Sequence, residues 1–459
     1  MAVVSRMIAH TRGHFLRQLI MMALPITVQS IMLSSRSLVD VLMLGQLGEA
    51  EIAAIGVAAR AIFVTTIMLV GVTTGGALLT AQYWGANNQQ GVRESTALTW
   101  VLSLLFALLT VALFVFFPQS IMALTTDSLQ VQTLGSQYLM ISSVSMCCVA
   151  SIASMSVGLR AMHQPGISTF FSGIGIVSNI ALNWLLIFGH WGLPAMGIQG
   201  AAIATVVSSV IEAGGVYAYL YGRRHALVFY WQDILAACHW FKIGRFLRLS
   251  LPTTLNFLGW AGGLFTYHAI MGHVGVQGLA ALSVMTPIES LALSLLIGMS
   301  NAAAVLIGNQ IGAQRYQIVY YQALGVTCLS FGIGVLLAIL LFFLQSSILD
   351  VFSALTTETR ALAEHFMWVL CAGVVLRSVP MTVIVGILRA GGDVKFCLGQ
   401  DLCAQWLIGI PITAFAALVW GCAPETLYLL FLLEEMVKWG GSLYRLRSRR
   451  WIHNLIASE

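Results

Sequence analysis

An aspartate stands near the end of a long apolar stretch close to the N-terminus. Asp40 lies in LPITVQSIMLSSRSLVDVLMLG, residues 24–45, about five residues before the end of that stretch. In a membrane-spanning helix a charged side chain costs ~2.5 to 3.5 kcal/mol on insertion scales, and such groups usually serve a function. The sequence therefore predicts that Asp40 binds a proton or a cation.

Arg36 offers a structural alternative for the same carboxylate. It precedes Asp40 by four residues and so lies on the same face of a helix. An intramembrane ion pair between them would explain both charges. The two interpretations are compatible, because a pair that forms in one state and breaks in another acts as a switch.

Two asparagines one helical turn apart could complete such a site. Asn179 and Asn183 share one face of the fifth predicted span, in SNIALNWLLIFG. Amide oxygens can complete a cation shell around a carboxylate, since hard cations prefer oxygen ligands. Hydrogen bonding between helices is the alternative, and spacing alone does not decide between the two.

Four further charged residues fall inside predicted spans: Arg60, Arg377, Glu212 and Glu289. Charges inside a bundle face a water-filled cavity or one another. Together with Arg36, the arginines could indicate a substrate with negative charge, but pairing with the acids is the favoured interpretation.

Motifs for enzyme chemistry are absent from the sequence. It contains no GxxxxGK[ST] phosphate loop, no HExxH and no GxSxG, and Gly173-Ile174-Gly175 lacks the third glycine of a dinucleotide loop. The eight cysteines form no CxxC pair. We therefore expect no enzyme activity, no bound cofactor and no resident metal, although Na⁺ at Asp40, Asn179 and Asn183 stays open. If the protein moves a substrate across a membrane, an ion gradient or the substrate's own gradient must supply the energy for that transport.

The composition predicts an integral membrane protein. Of 459 residues, 59% are hydrophobic and only 8% are charged, and the mean hydropathy is +0.89. Soluble domains have a charged fraction near ~25%. The longest polar stretch, from about Tyr221 to Arg248, is too short for a soluble catalytic domain.

Twelve segments are long and apolar enough to cross a ~30 Å hydrocarbon core, which takes roughly 20 residues. We expect helices, because backbone groups in lipid must be paired within each segment. The predicted spans are approximately 18–44, 53–80, 96–117, 133–157, 168–189, 200–221, 249–271, 279–306, 318–344, 362–387, 397–420 and 425–443.

Basic residues predict the orientation in the membrane. Of the 22 Lys and Arg residues, 17 lie at the termini or in loops of one side, and loops of this kind stay cytoplasmic. Both termini are therefore expected to be cytoplasmic, in a multi-pass protein of the cell inner membrane. The net charge of +5 is read as this topology signal, and nucleic acid is not expected as a partner.

The sequence repeats itself at an offset of 227 positions. LPTTLNFLGWAGGLFTYHAIMG follows the pattern of the stretch at 24–45, with Pro252 at the position of Pro25 and Tyr267 at that of Asp40. Two copies of six spans each predict an all-α membrane protein of two six-helix bundles, related by a pseudo-twofold axis along the membrane normal. The expected domains are an N-terminal lobe (1–222), a cytoplasmic loop (223–245), a C-terminal lobe (246–445) and a basic cytoplasmic tail (446–459).

Several features together resemble the MATE family of multidrug and toxic compound extrusion transporters. They are the six-plus-six arrangement, the Leu-Pro opening of both halves, Leu-Arg-Ala after the fourth and tenth spans, and NIALNWLLIFGHWGLPAMGIQGAAIATVVS at 179–208. The resemblance covers nearly the whole chain. It implies efflux of organic molecules in exchange for Na⁺ or H⁺ through a V-shaped pair of lobes, without a bound cofactor.

The resemblance also implies residue roles. The family's first-helix acid matches Asp40, its fifth-helix amide matches Asn179, and the position one turn on, an Asp in one prokaryotic branch, is Asn183 here. A sixth-helix hydroxyl of the cation site most resembles Thr205, and the proline associated with first-helix bending matches Pro25.

A second branch of the family has a second-lobe cation site with acids on the seventh and tenth spans. This chain departs from that pattern, because its seventh span has no acid and Ser378 stands at the tenth-span position. Arg36 beside Asp40 is another departure. A cation one turn away competes with bound Na⁺, so proton coupling is slightly preferred.

We therefore expect a secondary active antiporter that exports amphiphilic organic compounds by alternating access of two lobes. Drugs, dyes and anionic aromatic metabolites such as flavins are the expected substrate classes. Asp40, Asn179, Asn183 and Thr205 form the expected coupling site. Arg36, Pro25, Tyr267, Glu289 and Arg377 are expected in the substrate cavity or the switch.

The chain is expected to act as a monomer in the lipid bilayer. A flippase for lipid-linked intermediates is the alternative function, but it predicts more basic residues within spans and extra helices beyond the twelfth. A structural or receptor-like membrane protein is less favoured, because it would not need a duplication around buried charges.

Overall fold

The computed structural model describes residues 2–44, 47–124, 126–350 and 357–456. Gly45 of the repeat and the last three residues of the predicted tail lie outside these ranges. Within them every regular element is helical, as expected for the all-α class. The α-helices are α1 Ala2–Thr11, α2 His14–Leu44, α3 Glu49–Gly85, α4 Gln89–Phe116, α5 Pro118–Ala123, α6 Leu129–Ser143, α7 Ser145–Ala161, α8 Pro165–Phe188, α9 Gly197–Gly222, α10 Trp231–Ala237, α11 Trp240–Val274, α12 Val276–Gly312, α13 Tyr316–Asp350, α14 Thr357–Pro380, α15 Val394–Leu402, α16 Ile410–Leu418, α17 Pro424–Leu430 and α18 Leu433–Ser448.

Among the described residues, nine helices are long and apolar enough to cross a membrane, or ten if the bent pair α6 and α7 forms one span. The seventh and twelfth predicted spans fall on α11 and on the pair α17 and α18. These helices are less apolar than the nine that are hydrophobic enough to be counted as spans. Helix α18 alone carries Glu434, Glu435 and Lys438, a charge density that a lipid-facing helix does not tolerate.

The sequence repeat is reproduced in the helices. Helices α3 and α12 both have 37 residues and begin 227 positions apart. Each ends in a turn with one left-handed residue, Asn87 (φ 56°) in the first copy and Gln314 (φ 59°) in the second. Phe117 and Phe343, at equivalent positions of FFPQS (116–120) and FFLQS (342–346), are 57% and 77% exposed, as expected for side chains that face lipid.

The chain forms two compact units. Unit 1 contains Met1–Thr27 and Leu255–Glu459, and unit 2 contains Val28–Thr254. The dividing residues, Thr27 and Thr254, are again 227 positions apart. The first part of α2, up to Thr27, therefore belongs to unit 1, which otherwise consists of the second copy of the repeat. The first part of α11, up to Thr254, belongs to unit 2, which otherwise consists of the first copy. The lobe boundaries inferred from the sequence stay a prediction.

Close contacts at glycine accompany this arrangement within each unit. A Cβ added to Gly71 in unit 2 would lie 2.4 Å from Thr254 Oγ1. A Cβ added to the equivalent Gly298 in unit 1 would lie 2.0 Å from Thr27 Oγ1. Glycine is therefore required at both positions for the helices to approach so closely.

Two π-helical segments interrupt unit 1, at Met381–Leu388 and Cys403–Gly409. The first directly follows Pro380, which has no N–H to donate to Leu376 O one turn earlier. The indole Nε1 of Trp439 donates to that carbonyl instead, at 2.5 Å. A contact between α14 and α18 therefore compensates for the backbone hydrogen bond that is missing where the α-helix ends at Pro380.

Candidate functional site

Asp40 lies at the meeting of α2 and α8 in unit 2. The amide of Asn183 donates from Nδ2 to Asp40 Oδ1 at 2.5 Å, and the same Nδ2 lies 3.4 Å from Asn179 Oδ1. Both asparagines are fully buried, at 0% exposure. The three residues predicted from the sequence to share a site are therefore in contact.

Arg36 takes a partner other than Asp40. Its Nη2 donates to Ser208 Oγ on α9 at 3.1 Å, and no salt bridge joins Arg36 to Asp40 among the described residues. Its charge nevertheless acts on the Asp40 carboxylate one turn away. The guanidinium is thus held beside the aspartate by a neutral hydroxyl, which is a weaker bond than a bidentate ion pair.

Thr205 lies on α9, three residues before Ser208, the partner of Arg36. Its Oγ1 donates to the carbonyl of Ala201 at 3.0 Å, and its side chain lies beside the phenol of Tyr138 on α6. Tyr138 is buried, at 8% exposure, and lies within the electrostatic range of both Asp40 and Arg36.

Two buried amide atoms of the site have spare hydrogen-bonding capacity. Within the described ranges, Asn179 Nδ2 and Asn183 Oδ1 have no hydrogen-bond partner. Buried polar atoms are rarely left unpaired, because doing so costs about 1 to 3 kcal/mol each. If the Asn183 amide turns over, its oxygen faces Asp40, where it can accept from a protonated carboxyl or bind a cation.

The predicted site residues offer a cation one carboxylate and three neutral oxygens: Asp40, Asn179 Oδ1, Asn183 Oδ1 and Thr205 Oγ1. This set suits Na⁺ as a transported ion better than a resident divalent metal. In the part of the chain that the structure describes, no group of three or more His, Cys, Asp or Glu side chains is placed to hold a metal.

Pro25 belongs to the other compact unit. It stands in the interior of α2, fifteen residues before Asp40, in the segment of that helix that belongs to unit 1. Arg60 is exposed on α3 and forms no ion pair with any described residue.

Tyr267, Glu289 and Arg377 come together in unit 1. Arg377 contacts Glu289 and lies 3.6 Å, Nε to Oε1, from Glu435. Tyr267, the residue at the position of Asp40 in the second copy, donates from its hydroxyl to Glu434 Oε2 at 2.9 Å. The pairing expected for Arg377 and Glu289 is therefore present, in a charged cluster in which this pair is half-buried and the residues of α18 are buried.

The acids and lysine of α18 were missed by the sequence reasoning. Lys438 Nζ lies 3.4 Å from Glu434 Oε1 and 3.6 Å from Glu435 Oε1. All three side chains are at least nine-tenths buried. The signal was available, since LLEEMVK places three charges within a predicted span. Tyr138 gave no such signal, because an aromatic ring in a membrane helix is common.

Curated relatives match along most of the chain. It is 26% identical over 383 residues to a protein named "Probable multidrug resistance protein NorM" from Agrobacterium fabrum, covering 81% of each chain. It is 23% identical over 435 residues to "Uncharacterized transporter YisQ" from Bacillus subtilis, covering 91% of each. Neither relative supports the flippase alternative.

Solved structures share the fold. The Vibrio cholerae MATE transporter VcmN in the bent form superposes with a TM-score of 0.85 at 18% identity, covering 98% of this chain and 100% of that one. A MOP superfamily transporter from Pyrococcus furiosus superposes with a TM-score of 0.86 at 16% identity, covering 96% and 98%. At such identities the likeness concerns the fold alone.

The family model MatE matches twice, at residues 25–185 and 252–415. The two matches begin 227 positions apart, which is the offset of the repeat, and together they cover well over half of the chain. Members of this family are transport proteins rather than enzymes. The chain belongs to the MatE family of multidrug and toxic compound extrusion transporters.

Proposed function

We propose that this protein is a secondary active antiporter that exports amphiphilic organic compounds and takes up protons in exchange. Coupling takes place in unit 2, where Asp40 carries the proton. Asn179, Asn183 and Thr205 hold the carboxyl in each protonation state, and Arg36 acts as the switch.

The observation that carries this proposal is the contact between Asp40 and Asn183, beside buried amide atoms with spare capacity. A charged Asp40 accepts from Asn183 Nδ2, as it does here. A protonated Asp40 needs an acceptor, and Asn183 Oδ1 becomes one when the amide turns over. The site therefore has a hydrogen-bond partner for both states of the carboxyl.

Arg36 favours a proton over Na⁺ as the coupling ion. A cation near Asp40 opposes the binding of a second cation at the same place, whereas protonation removes the charge with which Arg36 interacts. Because Arg36 is bonded to the Ser208 hydroxyl, it can change partners without breaking a strong ion pair. In this scheme, proton binding and movement of Arg36 are one event.

The orientation predicted from the basic loops belongs to the same proposal, with both termini in the cytoplasm of a cell that carries the protein in its inner membrane. So do the monomeric state and the unit 1 cluster of Tyr267, Glu289 and Arg377 as part of the substrate cavity. The family's name supports multidrug substrates, and NorM from Agrobacterium fabrum carries that description.

The test uses purified protein in liposomes loaded with a fluorescent substrate. Ethidium serves as the cationic probe and flavin mononucleotide as the anionic one. Efflux is started by a pH gradient, by a Na⁺ gradient, or by neither. We expect the pH gradient to drive efflux of at least one probe in the wild type and the variant Asp40→Asn to lose that response by more than about tenfold.

Asp127→Asn is the matched control, because this carboxylate lies exposed in a loop of the same unit. It should transport like the wild type. Equal pH-driven efflux by Asp40→Asn and the wild type would overturn the coupling role of Asp40. Efflux driven by Na⁺ and not by the pH gradient would overturn the choice of ion.

A further inference from the structure

A second carboxylate lies inside unit 2, beyond the residues of the proposed site. Glu212 on α9 is 6% exposed and accepts a hydrogen bond from Ser172 Oγ at Oε1, 2.8 Å away. Its side chain packs over Gly175, where any side chain on α8 would collide with the carboxyl group. The bundle thus leaves a fitted space for a buried acid that has no basic hydrogen-bond partner among the described residues.

Glu212 and the Asp40 site lie on one polar stripe along α8. Ser172, Gly175, Asn179 and Asn183 recur every three or four residues, so they share one face of that helix, and all four are buried. Eight residues separate Gly175 from Asn183, which is about 12 Å along the helix axis. The carboxylates of Asp40 and Glu212 therefore lie against the same polar face of α8, at two different positions along its axis.

Hydrogen bonds extend the stripe away from Asp40. Ser172 Oγ accepts from Gln29 Nε2 at 3.0 Å, and Gln29 Oε1 accepts from Arg160 Nη2 at 2.9 Å. Gln29 and Ser172 are buried, at 5% and 1% exposure. Arg160 stands in the last turn of α7, which the basic-loop pattern assigns to the cytoplasmic end of the bundle. Glu212 is thus connected to that end by a continuous series of polar groups.

Arg36 lies between the two acids. It is one turn before Asp40 on α2, and its partner Ser208 is one turn before Glu212 on α9. Its charge acts on both carboxylates. In the described ranges, the other titratable groups that face the pair are the Cys148 thiol on α7, near Glu212, and the Tyr138 phenol on α6, near Asp40. Neither is charged at neutral pH.

The local charges do not balance if both acids are ionised. Arg36 supplies one positive charge to two carboxylates, while Arg160 is separated from Glu212 by the Gln29 amide and the Ser172 hydroxyl. An unpaired charge in a buried site is strongly disfavoured. One proton shared by the two acids makes the group of three neutral.

We propose that Glu212 is a second proton-carrying residue, the cytoplasmic partner of Asp40, and that one proton and Arg36 alternate between the two carboxylates. This inference rests on the proposed antiport. When Asp40 is protonated, Arg36 pairs with ionised Glu212. When Glu212 is protonated, Arg36 pairs with ionised Asp40.

The transfer step conserves atoms and charge. One O–H bond breaks at the Asp40 carboxyl and one O–H bond forms at Glu212, so the negative charge moves in the opposite direction to the proton. The distance excludes direct transfer, and water molecules between the Ser208 and Thr205 hydroxyls would carry it. From Glu212 the proton leaves to water toward the cytoplasmic end, while Ser172, itself bonded to Gln29, orients the carboxyl group.

Infrared difference spectroscopy on the purified, lipid-reconstituted protein tests the shared proton without any transport substrate. The carboxylic C=O stretch reports protonated acids, and the spectra compare wild type, Asp40→Asn, Glu212→Gln and the double variant at about pH 7. Each single variant should lose the band of one carboxylic acid. The double variant should lose no more than either single variant, because the remaining acid is already ionised against Arg36.

A Glu212→Gln spectrum equal to that of the wild type would overturn the inference. So would a loss in the double variant that equals the sum of two separate single losses, because the acids would then hold protons independently. Glu364→Gln, an exposed acid, is the control and should leave the carboxylic band unchanged.

Ethidium and flavin mononucleotide efflux distinguishes this inference from the proposed function. Glu212→Gln should lower pH-driven efflux by more than about tenfold, with probe exchange in the absence of a gradient retained. Coupled efflux that needs Asp40 and not Glu212 would overturn the inference and leave the antiport intact. A wild type without pH-driven efflux would contradict the antiport, whereas the spectra would still decide whether the two acids share a proton.

Discussion

Gly175 lies directly against Glu212, so that a Cβ added at position 175 would fall 2.5 Å from Oε2 and 3.0 Å from Cδ of the glutamate. Both residues belong to unit 2 and are buried. The absence of a side chain at one position therefore makes room for the carboxyl group at the other.

The variant Gly175→Ala should displace Glu212 and break its bond with Ser172. We expect a loss of about 1 to 3 kcal/mol in unfolding free energy, the cost of a buried polar group without its partner. Thermal unfolding in detergent measures the change. Gly166→Ala on the same helix is the control, since no atom lies within 4 Å of the added Cβ. There the methyl group should be neutral or stabilising by up to ~1 kcal/mol. Equal midpoints for both variants would show that Glu212 does not need this space.

The polar positions of the candidate site could be found from sequence because each is anomalous in an apolar helix. Asp40 stands out by its charge, and the spacing of Asn179 and Asn183 places them on one face of α8. Their partners across helices could not be found in this way. That Arg36 binds Ser208 rather than Asp40 depends on the distance between α2 and α9, which no local pattern encodes.

Prediction of the architecture from sequence has a similar limit. The repeat at 227 positions predicted two equivalent copies, and the equal lengths of α3 and α12 agree with it. It did not predict that each compact unit would be divided at Thr27 and Thr254. That division follows from which helix packs against Gly71 and Gly298, a tertiary contact made by residues far apart in sequence.

His225, in the polar segment after α9, should make stability depend on pH. Its Nε2 faces Gln164 Oε1 at 2.9 Å, and its Nδ1 accepts from the backbone N–H of Leu227 at 3.2 Å. Burial lowers the pKa of the imidazole from its ordinary value. Protonation would place a second N–H against the Leu227 N–H. The stabilisation is therefore present above the unfolded pKa of about 6.5 and is lost as pH falls through the lower folded value.

Thermal unfolding at about pH 8 and about pH 5 measures this effect. The variant His225→Asn should have a smaller drop in midpoint on acidification, because the Asn side chain can accept from the same N–H two residues on and does not titrate. His239→Asn, at an exposed histidine, should retain the full drop. An undiminished drop in His225→Asn would assign the pH dependence to other groups.

Trp439 supports the break after α14 through its bond with Leu376 O. The variant Trp439→Phe removes the donor while keeping most of the ring, and should destabilise the protein by about 1 to 3 kcal/mol. Pro380→Ala restores an N–H one turn after Leu376. In the double variant the restored N–H can take the place of the indole, so the two changes should couple by about 0.5 to 3 kcal/mol in a double-mutant cycle. If the effects of the two substitutions on the unfolding free energy simply add, the indole bond does not compensate for the N–H that Pro380 lacks.

Lys438 should be essential to unit 1 because it lies between two buried acids. Glu434 and Glu435 are both within 4 Å of its Nζ, and all three side chains are at least nine-tenths buried. The variant Lys438→Met removes the cation and leaves both carboxylates. Breaking a buried pair by removing one partner costs about 3 to 5 kcal/mol. Lys395→Met, at an exposed lysine on α15, should have no measurable effect.

The pH dependence of that loss separates electrostatics from packing. Without Lys438, the acids of α18 lower their energy by binding protons, so the deficit relative to wild type should shrink between about pH 8 and about pH 5. Adding Glu434→Gln to Lys438→Met should recover part of the loss at the higher pH, because Tyr267 can still donate to the amide oxygen that replaces the carboxylate. A loss of unfolding free energy of the same size at both pH values would mean that Lys438 stabilises the protein by the packing of its aliphatic chain. Its positive charge would then not be what stabilises the two carboxylates.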